Sequence, residues 1–171
     1  MAVTKSGAYV HTFQEALRAT AITGTGGLDL RLATAKIALI SNSASDGVAP
    51  INFSATTVGW ANTNEVSGTG WATGGVLLSA AAAGATSVVP TVAEGTTGSL
   101  RYNWTSSLSV ASTTLVAAVG AIIYLDSITA PADLVDAMFL FIYFGGAFTT
   151  TAGTFGITPS ATGLLEVDYT P

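Results

Sequence analysis

Few residues in this chain could do chemistry, and the missing types decide as much as those present. There is one histidine, His11, and no cysteine. A Ser-His-Asp relay would depend on His11 alone, and a thiolate nucleophile, a disulfide or a zinc site lacks the ligands it needs. His11 therefore reads as a surface or interface imidazole. Paired carboxylates are the remaining catalytic device. Asp133 and Asp136 stand three apart, as on one face of a helical turn, and Glu166 and Asp168 alternate onto one face of a strand. Two such groups about 5–10 Å apart in a cleft would suit glycoside hydrolysis. Carboxylates beside turns and termini more commonly stay solvated and keep a low-charge protein soluble. Asp126, Asp133 and Asp136 could attract Ca²⁺, without the spacing of an EF-hand loop. The run Gly68 to Gly74 resembles a dinucleotide loop only superficially. Its third glycine comes one residue late, and a strand follows where that loop needs a helix. We expect no catalytic residue, no metal and no cofactor.

The elements that position these residues belong to a chain of 171 residues, suited to one domain or one domain plus an arm. Only 9% of residues are charged, against roughly 25% in ordinary globular proteins, while 49% are hydrophobic. Three Trp, five Tyr and seven Phe need burial, which excludes a disordered chain. The exterior must then be finished by Thr, Ser, Asn, Gly and Ala, a neutral surface that tolerates contact with other protein. The net charge of −5 is uneven: up to Arg101 the two signs balance, and beyond it stand Asp126, Asp133, Asp136, Glu166 and Asp168 with no basic residue. Nucleic-acid binding needs clustered cations to displace counterions from phosphate, so no DNA or RNA partner is expected. No secretory signal is expected from the N-terminal sequence, and the longest apolar runs fall short of the ~20 residues of a spanning helix. No membrane partner is expected.

Along the chain, Thr12-Phe13-Gln14-Glu15 fits a capping box, with the Thr12 hydroxyl and the Glu15 carboxylate each bonding the other's amide. It predicts a helix over about Phe13 to Thr20 whose docked face is Phe13, Ala16, Leu17 and Thr20. Residues 1–27 read as an arm that packs on its own domain or on a neighbouring copy, and residues 28–171 as the main domain. From Leu28 to Ile40 the period is two, as in one long strand or two successive ones. Ile51 to Trp60 matches neither period. Four glycines between Gly68 and Gly75 permit tight turns around Trp71 before a strand begins at Val76. Ala80 to Ala85 reads as a loop and Ser87 to Val92 as a short strand. Leu100, Tyr102 and Trp104 are expected to face one way, with Leu108 and Val110 continuing after a kink. Leu115 to Leu125 is a continuous apolar strand ended by Asp126, Pro131 to Asp136 a connection with one helical turn, and Met138 to Phe144 a central strand apolar on both faces. Phe148 to Ile157 alternates through threonines, and Leu164 to Val167 is a last strand. The pattern predicts an all-β domain, an antiparallel sandwich or jelly-roll-like fold, with a short N-terminal arm and helix.

Asn64-Glu65-Val66-Ser67-Gly68-Thr69-Gly70-Trp71, followed by Gly74-Gly75-Val76, resembles the Glu-Val-Ser-Gly-Thr-Gly-Tyr and Gly-Gly signature of small structural proteins of tailed bacteriophages. The likeness continues in order through Trp104-Thr105, Ser112 to Thr114, Ile123 to Asp126, Tyr143-Phe144-Gly145 and Gly153-Thr154-Phe155, covering about residues 28 to 168. Trp71 stands where Tyr is commoner, and the basic residue often found before the apolar strand is absent near Leu115 to Ala118. The resemblance implies assembly rather than catalysis. Its expected role is that of a minor capsid or decoration subunit on the outer surface of the phage head, with the major capsid protein and copies of itself as partners. The signature or interface residues are Thr12, Phe13, Leu17, Glu65, Gly68, Gly70, Trp71, Gly74 and Gly75. The alternative is a tail or baseplate component that binds a host-surface glycan or protein, with Trp60, Trp71 or Trp104 exposed to stack on sugar rings.

Overall fold

The computed structural model describes residues 5–18, 23–24, 31, 34–43, 51–78, 88, 90–95, 98–104, 106–161 and 163–168. Most of the expected strand from Leu28 to Ala33, the loop Ala80 to Ala85, and Thr20 lie outside them. In chain order the elements are β1 (Gly7–Ala8), α1 (Val10–Leu17), β2 (Thr23–Gly24), β3 (Ala35–Ser41), β4 (Glu65–Val66), β5 (Val76–Leu77), β6 (Thr91–Glu94) and β7 (Ser99–Asn103). There follow β8 (Leu108–Leu125), β9 (Ile128–Ala130), a 3₁₀ turn at Ala132–Leu134, β10 (Ala137–Ile157) and β11 (Leu165–Asp168).

The fold is all-β, antiparallel and sandwich-like, as the alternating pattern predicts. The main sheet has the order β1-β10-β8-β3-β4, with β5 also on β3; a second sheet has the order β11-β7-β6, and β2 pairs with β9. Tyr102 of β7 meets Phe139 of β10 edge to face, ring centroids 5.0 Å apart, which ties the second sheet to the first. The core runs through the middle of the main sheet. β3 is buried on both faces, Ala38 and Ile40 as well as Ile37 and Leu39, because it lies inside the sheet with both sides covered.

β8 and β10 form one long hairpin around Asp126 to Asp136, and here the reading of the sequence is corrected. Leu108 and Val110 belong to the strand that ends at Leu125, not to a continuation of the one before it. Met138 to Phe144 and Phe148 to Ile157 are likewise one strand, interrupted rather than ended by Gly145 and Gly146. From Tyr143 to Phe148 β10 advances five residues while β8, from Gly120 to Ala118, advances two, which is a large bulge. The Phe144 and Phe155 ring centroids lie only 5.8 Å apart, whereas eleven residues of straight strand would span about 36 Å. The strand therefore bends back on itself at the bulge. Leu100 is exposed, although Tyr102 and Trp104 two and four residues on are buried, so the expected common face does not extend to it.

The N-terminal helix differs from the capping-box reading. α1 begins at Val10 with Tyr9 as its N-cap and no side-chain cap, so Thr12 sits inside the helix. Its hydroxyl donates instead to the carbonyl of Met138, 2.5 Å away and buried. A tertiary acceptor on β10 outcompetes the local amide. The docked face is Thr12, Glu15 and the half-buried Phe13, whose ring lies 5.0 Å from Phe139. Leu17 is 87% exposed and Ala16 is exposed too, so of the described residues of the expected face only Phe13 docks on the sheet. Residues 7–17 lie on the same sheet as the rest of the chain: β1 pairs with Leu140 and Phe141, and Tyr9 is in the core.

Ile51 to Trp60 has no period because it is a turn-rich crossing. Ile51, Val58 and Trp60 are buried, Val58 N–H donates to Asp133, and Val58 accepts from Met138 N–H. Together with Tyr9 and β1, this crossing lines the outer edge of β10 from Ala137 onward.

Candidate functional site

The glycine signature turns out to be a clasp on the main sheet. Residues 68–71 close a tight turn in which Gly68 and Trp71 exchange both backbone hydrogen bonds, at 2.8 and 3.0 Å. A Cβ on Gly68 would lie 2.1 Å from the Thr114 carbonyl oxygen, so only glycine lets this turn approach β8. Next to it Thr114 N–H donates to the Thr69 carbonyl, and Gly70 sits over Thr113. The turn drives Trp71 fully into the core, where its ring meets Phe155 edge to face at 5.5 Å.

Glu65 organises the second half of the motif. Its carboxylate accepts from Gly74 N–H at 2.8 Å and Gly75 N–H at 3.0 Å, a charge-assisted pair on successive amides. Gly75 has φ +73° and its Cβ would meet the Ile37 carbonyl oxygen at 2.2 Å, which confines the position to glycine. The Tyr124 hydroxyl completes the clasp by donating to the Gly74 carbonyl at 2.6 Å. Burial pushes the Glu65 carboxyl above its ordinary value, against the pull of the two amides and of Lys36. Lys36 itself pairs with Asp126 at 2.5 Å.

The expected residues thus fall into three places. Glu65, Gly74 and Gly75 meet at β3 and β8; Gly68, Gly70 and Trp71 meet the outer part of β8; Thr12 and Phe13 dock α1 on β10, while Leu17 projects into solvent. The three indoles at Trp60, Trp71 and Trp104 are all buried, which removes them as sugar-stacking platforms. An indole is a large apolar ring whose burial removes about 200 Å² from water, which favours the core over the surface.

The acidic residues are engaged locally. His11 Nε2 donates to Asp133 Oδ2 at 2.7 Å and ties α1 to the 3₁₀ turn; that bond holds the Asp133 carboxyl below its ordinary value. Burial raises Asp136. Glu166 accepts from Ser99 at 2.6 Å and from Arg101 at 3.3 Å, which locks β11 to β7. Among the described residues no three His, Asp or Glu side chains converge on a metal position, and no helix is long and apolar enough to cross a membrane.

The outer part of the β8–β10 hairpin supplies features that sequence reasoning missed. Leu115 N–H donates to Thr150 Oγ1 at 3.2 Å, Thr150 and Thr113 hydroxyls lie 2.8 Å apart, and Thr113 Oγ1 donates to the Gly153 carbonyl at 3.0 Å. Ala117 N–H donates to Thr149 and Ala152 N–H to Thr114. Threonine hydroxyls thereby replace ladder bonds where the register slips. The run Thr149-Thr150-Thr151 facing Thr113-Thr114 is the signal in the sequence. In the bend of β10 a pocket of about 280 Å³ is lined chiefly by Ile142, Tyr143, Phe144, Phe148, Phe155 and Ile157. Phe148 is 50% exposed and Val116 70% exposed close by on the hairpin.

No family model, curated protein or solved structure matches this chain.

Proposed function

We propose that this chain is a structural subunit of a tailed-bacteriophage particle. It is a minor capsid or decoration protein held at many equivalent positions on the outer head lattice, with the major capsid protein and its own copies as partners. One observation carries the reading: β8 and β10 contain no charged side chain, and their outer part presents threonine, alanine, Val116 and Phe148 to solvent. An ordinary exterior carries mixed charge to stay apart from its neighbours, so a long neutral face suits a molecule finished by contact with other protein. The glycine signature supports the same reading through its resemblance to small phage structural proteins.

The mechanism is additive binding. Each copy covers neutral surface against the shell and so favours only the state in which the lattice exists. Many weak, equivalent contacts together resist the pressure of packaged DNA, and the acidic C-terminal half faces away from phosphate. Gel densitometry of purified particles tests this. The expected result is hundreds of copies per particle; fewer than about one copy per twenty of the major capsid protein would overturn it, because lattice symmetry repeats every site. Few copies with saturable binding to host envelope would instead favour the tail reading.

A further inference from the structure

Residues 62–78 form a flap that closes the outer side of β3. β4 pairs with Leu39 and Ile40, β5 pairs with Lys36 and Ile37, and the turn between them seats Trp71 in the core. Glu65 is the only charged residue of the flap. Its two carboxyl oxygens are treated unequally. Oε1 accepts from the Gly74 and Gly75 amides at 2.8 and 3.0 Å, whereas Oε2 is shut off from solvent and meets no donor of the protein. An ionised carboxylate spreads its charge over both oxygens, so part of that charge lies on a buried atom that nothing stabilises. A neutral carboxyl avoids this cost: Oε1 still accepts from the same two amides while Oε2 carries the proton.

We infer that Glu65 is a proton-operated latch, which holds the flap on β3 and β8 more tightly when its carboxyl is neutral than when it is ionised. The neighbouring charges do not cancel the cost of the ionised form. Lys36 of β3 attracts Glu65 but is paired with Asp126 at 2.5 Å. Tyr124 of β8 donates its hydroxyl to the Gly74 carbonyl, and Asp126 and Asp136 act on it together with Glu65 as like charges. Burial therefore outweighs the two amides and Lys36, and the carboxyl lies above its ordinary 4.5. A raised value in the closed state means that closure binds the proton. The extra closure is complete below the ordinary value and is lost as pH rises through the raised one. This is opposite in sign to Asp133, whose carboxyl is lowered by His11. The latch is independent of the assembly reading, and copy number on a particle leaves it untouched.

Amide hydrogen exchange of the full chain, corrected for intrinsic exchange and referred to the amides of Ala121 to Ile123 in β8, tests the latch. Protection of residues 65–77 should be at least about threefold higher near pH 4 than near pH 7.5, since each unit of pKa difference is worth about tenfold. Glu65→Gln is neutral at every pH and can accept from both amides, so its flap protection should not change with pH. Asp136 is a second raised carboxyl, at a positive φ that Asn tolerates, and Asp136→Asn should keep the wild-type response. If Glu65→Gln disturbs folding, the ¹³C NMR titration of the Glu65 carboxyl in the wild-type chain decides. A midpoint above 4.5 supports the latch, and one at or below it overturns it. A wild-type flap indifferent to pH, a response that survives in Glu65→Gln, or one that disappears in Asp136→Asn also overturns it.

Discussion

The inner half of the hairpin, Ala118–Leu125 with Ala137–Tyr143, and its outer half, Leu108–Ala117 with Phe148–Ile157, are equally free of charge yet held by different means. The inner half is flanked by β3 and β1, keeps an almost continuous ladder, and buries nearly every side chain. The outer half slips register repeatedly, has no flanking strand among the described residues, and is tied by threonine hydroxyls and by the clasp around Trp71. Lack of charge thus means opposite things in the two places: packing inside, and surface open to contact outside.

Substitutions can break or sharpen this contrast. Phe141→Ala in the fully buried inner half should cost about 3–5 kcal/mol in chemical denaturation, whereas Phe148→Ala in the outer half should cost under about 1 kcal/mol. Equal losses would erase the distinction. Gly120→Ala should cost about 2–3 kcal/mol, since its Cβ would meet the Phe141 ring at 2.4 Å and the Ile142 carbonyl oxygen at 2.6 Å. Gly146→Ala, with nothing within 4 Å, should stay within about 0.5 kcal/mol. For Thr113→Val, which removes the buried donor to Gly153, a loss of about 1–2 kcal/mol is expected by thermal melting, and no loss would show that the hydroxyl relay is incidental.

The smallest effect concerns pH and the attachment of α1. The Asp133 carboxyl is held below its ordinary 3.8 by His11, so its contribution is present above that value and fades as pH falls through the depressed folded pKa. Melting curves of wild type and Asp133→Asn should therefore differ near neutrality and converge in acid. A gap that persists at the lowest pH would assign the effect to packing rather than to the carboxylate.

Much of this architecture was readable beforehand, and the failures share a cause. The apolar runs at Leu115–Leu125 and Met138–Phe144 announced central strands, because only a segment covered on both faces can forgo alternation. The glycines around Trp71 announced a tight turn, and the structure shows why Gly68 is one of them: a Cβ there would lie 2.1 Å from the Thr114 carbonyl oxygen. The capping box failed because Thr12 had a distant acceptor, Met138, that no local pattern contains. Phe144 and Phe155 gave no hint of touching, since the bend joining them is made by a bulge whose partner lies on another strand.

Composition and spacing by themselves determined a cysteine-free, charge-poor β chain with its acidic excess at the C-terminal end, for these depend on residue type and short-range periodicity. Tertiary structure alone decided which threonines would be bonded inside and which left outside, that the three indoles would be covered, and where the long hairpin would bend. Those outcomes turn on which distant segments compete for the same hydrogen bonds and the same apolar surface, and that competition is settled only when the chain is closed in three dimensions.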